Sequence, residues 1–211
     1  MKLNSTVVRK NAADRLRLID VARSLGVPID TETYIMPGVR ERQNGFCQES
    51  RLEAEDAAQA MIDVIEKDAG TMGLARYFMQ TAMLSHSECE GEWHREVPQK
   101  DASGRLSMRC NGGRCAFIVN WQGQLRPCIM MTQPSVSIIG NGFAAAWETI
   151  KRETARIRMA AECSRCPLVE VCKVCPAASL LESGSLDMRP EYLCRYTRRQ
   201  EAIRKQFIES Q

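Results

Sequence analysis

The sequence predicts a mixed fold, α/β at its start and α+β beyond. Three observations carry that expectation. A strand–helix–strand pattern fills residues 3–38, apolar residues then recur at helical spacing in two further segments, and a hairpin lies inside a cysteine-rich region beginning at Arg109. A chain of 211 residues can hold one domain or two small ones around a real core. Its 44% hydrophobic and 26% charged residues match ordinary globular composition.

LNSTVV is short and β-branched, as a first strand should be. Asn11 is placed to cap the next helix, with Asp14 near the positive end of its dipole. Ala12, Leu16, Ile19, Ala22 and Leu25 form its apolar stripe, and Gly26 with Pro28 ends it. PIDTETYI follows as a second strand, stopped by Pro37–Gly38. Such a unit implies parallel strands, and two parallel strands alone leave edges to be paired. Either later antiparallel strands cover them, or the chain is the end of a larger (β/α) barrel whose beginning is absent. Its opening in mid-pattern favours the barrel.

Residues 39–49 read as a polar loop. Ser50 and Glu53 suit a capping box for a helix reaching about Asp68, with Ala54, Ala57, Ala58, Met61 and Ile65 turned inward. TMGLARYFMQTAML continues as another helix. Residues 1–85 are thus expected to form one unit, 86–108 a linker loop, 109–199 a cysteine-rich domain, and 200–211 the end of a last helix. Within that domain AFIVNW and QLRPC pair across a turn at Gln122–Gly123. GNGFAAAWETIKRETARIRM supplies a turn and an amphipathic helix, PAASLLESG a short helix ended by Gly184, and Pro190 opens the last one.

Composition also excludes functions. A net charge of +3 is too small to argue for nucleic acid, and the basic run at 195–205 lacks an aromatic platform. The apolar runs AFIV and FAAAW are far too short to span a bilayer, and MKLNSTVVRK lacks the apolar stretch of a signal peptide. The expected location is the cytoplasm, so no nucleic acid and no membrane are expected as partners. In that reducing compartment clustered cysteines serve as metal ligands or catalytic thiols rather than disulfides.

Eight of the ten cysteines lie between residues 110 and 194. Cys110, Cys115 and Cys128 form one group; Cys163, Cys166, Cys172 and Cys175 form another, followed by Cys194. Thiolates this close repel unless a positive centre binds them. Eight makes two sets of four, the number taken by tetrahedral zinc or a cubane iron–sulfur cluster. Zinc knuckles commonly stand ~15–20 residues apart, whereas only five residues separate Cys166 from Cys172. One zinc would leave four cysteines unexplained, so the spacing favours two clusters, with zinc as the alternative. Gly112–Gly113 would let backbone N–H groups approach cluster sulfurs.

The run C-x-x-C-x5-C-x-x-C-P-A, with upstream C-x12-G-x4-C and downstream Y-L-C, resembles a SPASM domain. That is the auxiliary-cluster module of radical S-adenosylmethionine (SAM) enzymes, here most similar to the anaerobic sulfatase-maturating type. The W-x-G-x-x-x-P-C hairpin, GF-x-x-AW and PEYLC extend the likeness over about residues 109–199. Residues 3–38 resemble the last strand–helix units of the radical SAM partial barrel. The resemblance implies two 4Fe–4S clusters. Cys110, Cys115, Cys128 and Cys175 would hold the first; Cys163, Cys166, Cys172 and Cys194 would hold the second. It further implies electron transfer within a peptide- or protein-modifying oxidoreductase, with a peptide or protein as substrate. The C-x3-C-x2-C loop that holds the SAM cluster does not occur. The chain is therefore expected to be a truncated or split member, inactive alone, with SAM bound only in an intact relative. A second chain supplying the missing barrel half is the other partner expected. A stand-alone electron carrier is a further alternative.

Other residues carry blander expectations. Cys47 and Cys89 read as solitary thiols, and His86 and His94 as solvated loop histidines. Met130 and Met131 should pack beside a cluster. Arg126 and Arg195 either offset thiolate charge or lie on the surface. Glu182, Asp187 and Glu191 form no recognisable acid–base pair.

Overall fold

In the computed structural model the described residues are 1–38, 50–83 and 100–210. Cys47, Cys89, His86, His94 and the loop at 39–49 lie outside them. The fold is mixed α+β. Strands β1 (Leu3–Thr6) and β2 (Ile29–Glu32) pair in parallel, Leu3 opposite Ile29, through helix α1 (Arg15–Ser24). Among the described residues no third strand joins them. The later strands form their own sheet, so antiparallel cover does not occur there.

Two details at α1 differ from expectation. A 3-10 turn, Ala12–Asp14, precedes the helix, and Asn11 makes no side-chain cap. Its amide instead braces the preceding loop, accepting from the Val8 N–H at 2.7 Å and donating to the Thr6 carbonyl at 3.0 Å. Such local bonding is the usual competitor of capping for Asn. Ile19 and Ala22 are buried as expected, but Leu25 sits past the last turn and is exposed.

Helix α2 (Ala54–Met83) is two segments broken at Gly70 (φ 65°, ψ −170°), a region essentially open only to glycine. Arg23 of α1 donates to the carbonyls of Lys67 and Asp68 just before the break (2.6 and 3.0 Å), satisfying groups that the helix end orphans. The expected capping box does not form at its start. Glu53 instead pairs with Arg9 at 2.7 Å, because the chain turns there to bring both together. Ala54, Ala57 and Ala58 are fully buried; Met61 and Ile65 are half-buried, while Ala60, Ile62 and Val64 go deeper.

Beyond residue 100, β3 (Ile118–Val119) and β4 (Gln124–Arg126) make the expected hairpin. Asn120 Oδ1 accepts from the N–H groups of Gln122 and Gln124 (3.0 and 2.9 Å), an Asx turn completed by Gly123 at φ 71°. A third strand, β5 (Val136–Ser137), adds to β4. At two residues it carries no alternation from which to foresee it. Helix α3 (Phe143–Ala155) packs Ala146 and Ile150 onto Leu125 of that sheet. The short α4 (Ala161–Ser164), α5 (Pro176–Ser183) and α6 (Glu191–Glu209) follow.

The largest core cluster joins both halves of the chain: Ala54, Ala57 and Ala58 of α2 pack with Met159, Cys163, Ala178, Leu193 and Tyr196. Small alanines on α2 let α6 approach closely, so the wall behind the cysteines is formed by the N-terminal half. At the end of the expected linker, Leu106 and Met108 are also core residues. Among the described residues no helix is long and apolar enough to cross a membrane.

Candidate metal centre

Local sequence places each cysteine of the second group on a turn or helix start. Cys163 lies in α4, and the N–H of Cys166 donates to its carbonyl at 3.2 Å. The Cys172 N–H bonds to the Leu168 carbonyl at 2.9 Å, closing a further turn. Cys194 falls in the first turn of α6, its N–H on the Pro190 carbonyl at 2.9 Å. These four cysteines line one cavity of about 290 Å³, together with Pro167, Leu168 and Leu193. Its walls are chiefly apolar, with Arg165, Arg189 and Arg198 also on the lining.

Cys175 belongs elsewhere. It is the N-cap of α5, with Pro176 at the first helical position, and its Sγ accepts from the Ala178 N–H at 3.4 Å. The thiols that raise its pKa are Cys110 and Cys128. The thiols acting on Cys163 are Cys172, Cys194 and Cys166. Cys175 is thus off the cavity lining shared by Cys163, Cys166, Cys172 and Cys194, and it packs beside Cys128 as well as against the core that Cys172 joins. Cys110 and Cys115 are exposed and Cys128 half-buried. Cys115 lies in the CNGGRC turn. Its amide closes the CNGGRC turn on the Asn111 carbonyl at 3.1 Å.

Arg109 holds the two groups together. Its guanidinium donates to the Val169 carbonyl and pairs with Glu170 at 2.8 Å, tying the chain beside Cys110 to the loop between Cys166 and Cys172. Leu106 adds a bond from its N–H to Ser164 Oγ at 3.0 Å, and the Met159 N–H returns to the Leu106 carbonyl at 2.8 Å.

The glycine pair is closely packed, and a Cβ on Gly112 would stand 3.4 Å from Cys110 Sγ. The Gly113 N–H is already given to the Ala116 carbonyl at 2.8 Å. A Cβ on Gly112 would stand 2.8 Å from the Pro127 carbonyl oxygen, and one on Gly113 (φ 72°) 2.3 Å from Thr154 Oγ1. Close packing of the turn against Pro127 and α3 is what excludes side chains here. Sulfur-directed N–H groups come from Met130, on Cys128 at 3.4 Å, and from Ala178, on Cys175 at 3.4 Å. Met131 is fully buried beside Cys128 and Cys175, as expected of a packing residue. Arg195 turns away to Glu55, at 2.8 and 2.6 Å, so it serves helix pairing. Arg126 reaches Ser135 Oγ at 3.3 Å.

Burial and neighbouring sulfurs push the Cys163 thiol up to about 11. Burial also raises Cys172, against the pull of the Thr197 hydroxyl and the Val174 amide, and it raises Cys175 against its helix amides. Burial thus favours the neutral form of these three thiols in the metal-free chain, and a cation bound to them must displace their protons. None of the eight is in a disulfide. Among the described residues no group of three or more His, Cys, Asp or Glu is arranged to hold a single metal ion. Four sulfurs on one zinc would stand ~3.8 Å apart, from metal–sulfur bonds of about 2.3 Å; here the four cysteines are on the lining of a cavity instead. A donor set of thiolates alone around such a space fits a cluster core.

One feature behind the site had no sequence signal. Arg51 and Glu182, each 8% exposed, form a two-pronged ion pair at 2.5 and 3.0 Å. Tyr34 donates to Glu182 at 3.0 Å, and the Arg51 guanidinium lies 3.1 Å from the Tyr192 ring centre. Glu182 is on α5, whose cap is Cys175. Compared with protein-family models, curated proteins and solved structures, the chain matches none.

Proposed function

We propose that the chain is an iron–sulfur protein binding two 4Fe–4S clusters and serving electron transfer. One is assigned to Cys110, Cys115, Cys128 and Cys175, the other to Cys163, Cys166, Cys172 and Cys194. The observation that carries this reading is the crossover. Cys163, Cys166, Cys172 and Cys194 line one cavity, while Cys175 lies off that lining and packs beside Cys128. A single zinc knuckle built from the 163–175 run would need Cys175 with its neighbours. When bound, such clusters supply one-electron transfer. The chain's own residues hold the sulfurs apart, exclude water with Leu168, Leu193 and Met131, and present N–H donors to Cys128 and Cys175.

In the wider reading these clusters are the auxiliary centres of a SPASM domain. The parallel β1–α1–β2 unit is then the end of a radical SAM partial barrel acting on a peptide or protein. SAM and its cluster belong to sequence carrying C-x3-C-x2-C, which these residues lack.

The test is anaerobic reconstitution with iron and sulfide. Wild type should be brown, with about eight irons per chain if both cubanes are complete. Cys166→Ser and Cys172→Ser should each remove about four irons, and Cys110→Ser should remove the other four or so. A colourless protein with stoichiometric zinc would overturn the proposal in favour of a zinc-binding structural module. Full iron in all three variants would overturn the ligand assignment.

A further inference from the structure

Thr197 lies on α6 three residues after Cys194, on the same helix face, and lines the same cavity. It is 6% exposed, and its Oγ1 stands 3.3 Å from Cys172 Sγ. Helical Ser and Thr hydroxyls commonly spend their proton on the carbonyl four residues back. Thr149, Ser164 and Ser183 do so here, onto Ala145, Ala160 and Ser179 at 3.0, 3.0 and 2.6 Å. Thr197 instead turns its hydroxyl to a sulfur across the cavity.

We infer that Thr197 tunes the reduction potential of the centre held by Cys163, Cys166, Cys172 and Cys194. The inference rests on the cluster reading above. A ligating Cys172 carries no proton, so the hydroxyl must be the donor in this pair. A hydrogen bond to a ligand sulfur draws negative charge from it and stabilises the reduced state more than the oxidised one. The potential is therefore higher with the bond than without it. Burial keeps water from substituting for the hydroxyl, and the backbone amide of Val174, which also lowers the Cys172 thiol, is left in place by side-chain exchange. Thr197 is thus a positioning and tuning residue, not a ligand.

Reconstituted wild type, Thr197→Val and Thr197→Ser are to be compared by iron content and by redox titration followed by electron paramagnetic resonance. Valine keeps the shape and removes the donor; serine keeps the donor. Expected are equal iron in all three and a more negative potential in Thr197→Val for one centre only. Thr197→Ser should stay near wild type. If Thr197→Val does not reconstitute, Thr197→Ala replaces it with the same expected shift. Two clusters per chain with no shift in Thr197→Val would overturn the tuning role alone. Equal shifts in valine and serine variants would assign the effect to packing and also overturn it. Wild type without iron–sulfur absorbance would overturn the cluster reading, and this inference with it.

Discussion

Replacing Glu182 by glutamine tests the ion pair behind the cysteines. The change keeps the side-chain shape and removes only the charge. Arg51 would keep its positive charge at 8% exposure, with its two-pronged partner at 2.5 and 3.0 Å made neutral. Breaking one side of a buried pair costs about 3–5 kcal/mol, because the remaining charge stays desolvated. Two charge-assisted bonds at ~1.5–3 kcal/mol each give a similar figure. That is a large share of the roughly 5–15 kcal/mol a folded domain commands. Urea unfolding of the metal-free protein measures it, with Arg51→Met and the double variant completing a cycle. The double variant should be no less stable than the worse single one, since no buried charge is left unmatched. A Glu182→Gln cost below about 1 kcal/mol would refute the argument, being the range of an exposed pair. Since α5 runs from Cys175 to Glu182's turn, that variant should also lower iron occupancy of the first cysteine set.

Two further outcomes are expected. Gly113→Ala should cost about 3 kcal/mol, combining a positive φ with a Cβ 2.3 Å from Thr154 Oγ1. Thr154→Ala should recover about half of it in the double variant, and Thr154 Oγ1 has no hydrogen-bond partner to lose among the described residues. Equal stability of Gly113→Ala and wild type in thermal unfolding would refute the close approach. The second concerns pH. Cys163 is raised from 9.0 to about 11, so unfolded chains lose its proton first as pH rises. Its contribution to metal-free stability is full below about pH 9 and lost on rising through about 11. The urea midpoint should fall more between pH 8 and pH 10 in wild type than in Cys163→Ser, both buffers being roughly a unit from the ordinary thiol value. Parallel falls would count against it.

Much of this architecture was legible from local signals. β1, α1 and β2 follow from β-branched runs, a 3.6-residue apolar period and Gly26–Pro28. The hairpin follows from Gln122–Gly123, and α5 from Pro176 and Gly184. Errors arose where a side chain had a choice of partners. Asn11 could cap α1 or brace the loop at Thr6–Val8, and Glu53 could close a capping box or bind Arg9. Short-range patterns contain no information on which distant partner arrives. Arg51, Glu182 and Thr197 were silent for the same reason, since their partners lie 131 and 25 residues away.

The cysteines divide the same way. Their number and the softness of their sulfurs follow from composition. Which cysteine stands with which is a matter of where helices begin. Cys175 is held off the cavity lining as the cap of α5, and Cys194 shares that lining with Cys163 because α6 packs on α2. Spacing along the chain constrains reach, but only packed helices set direction.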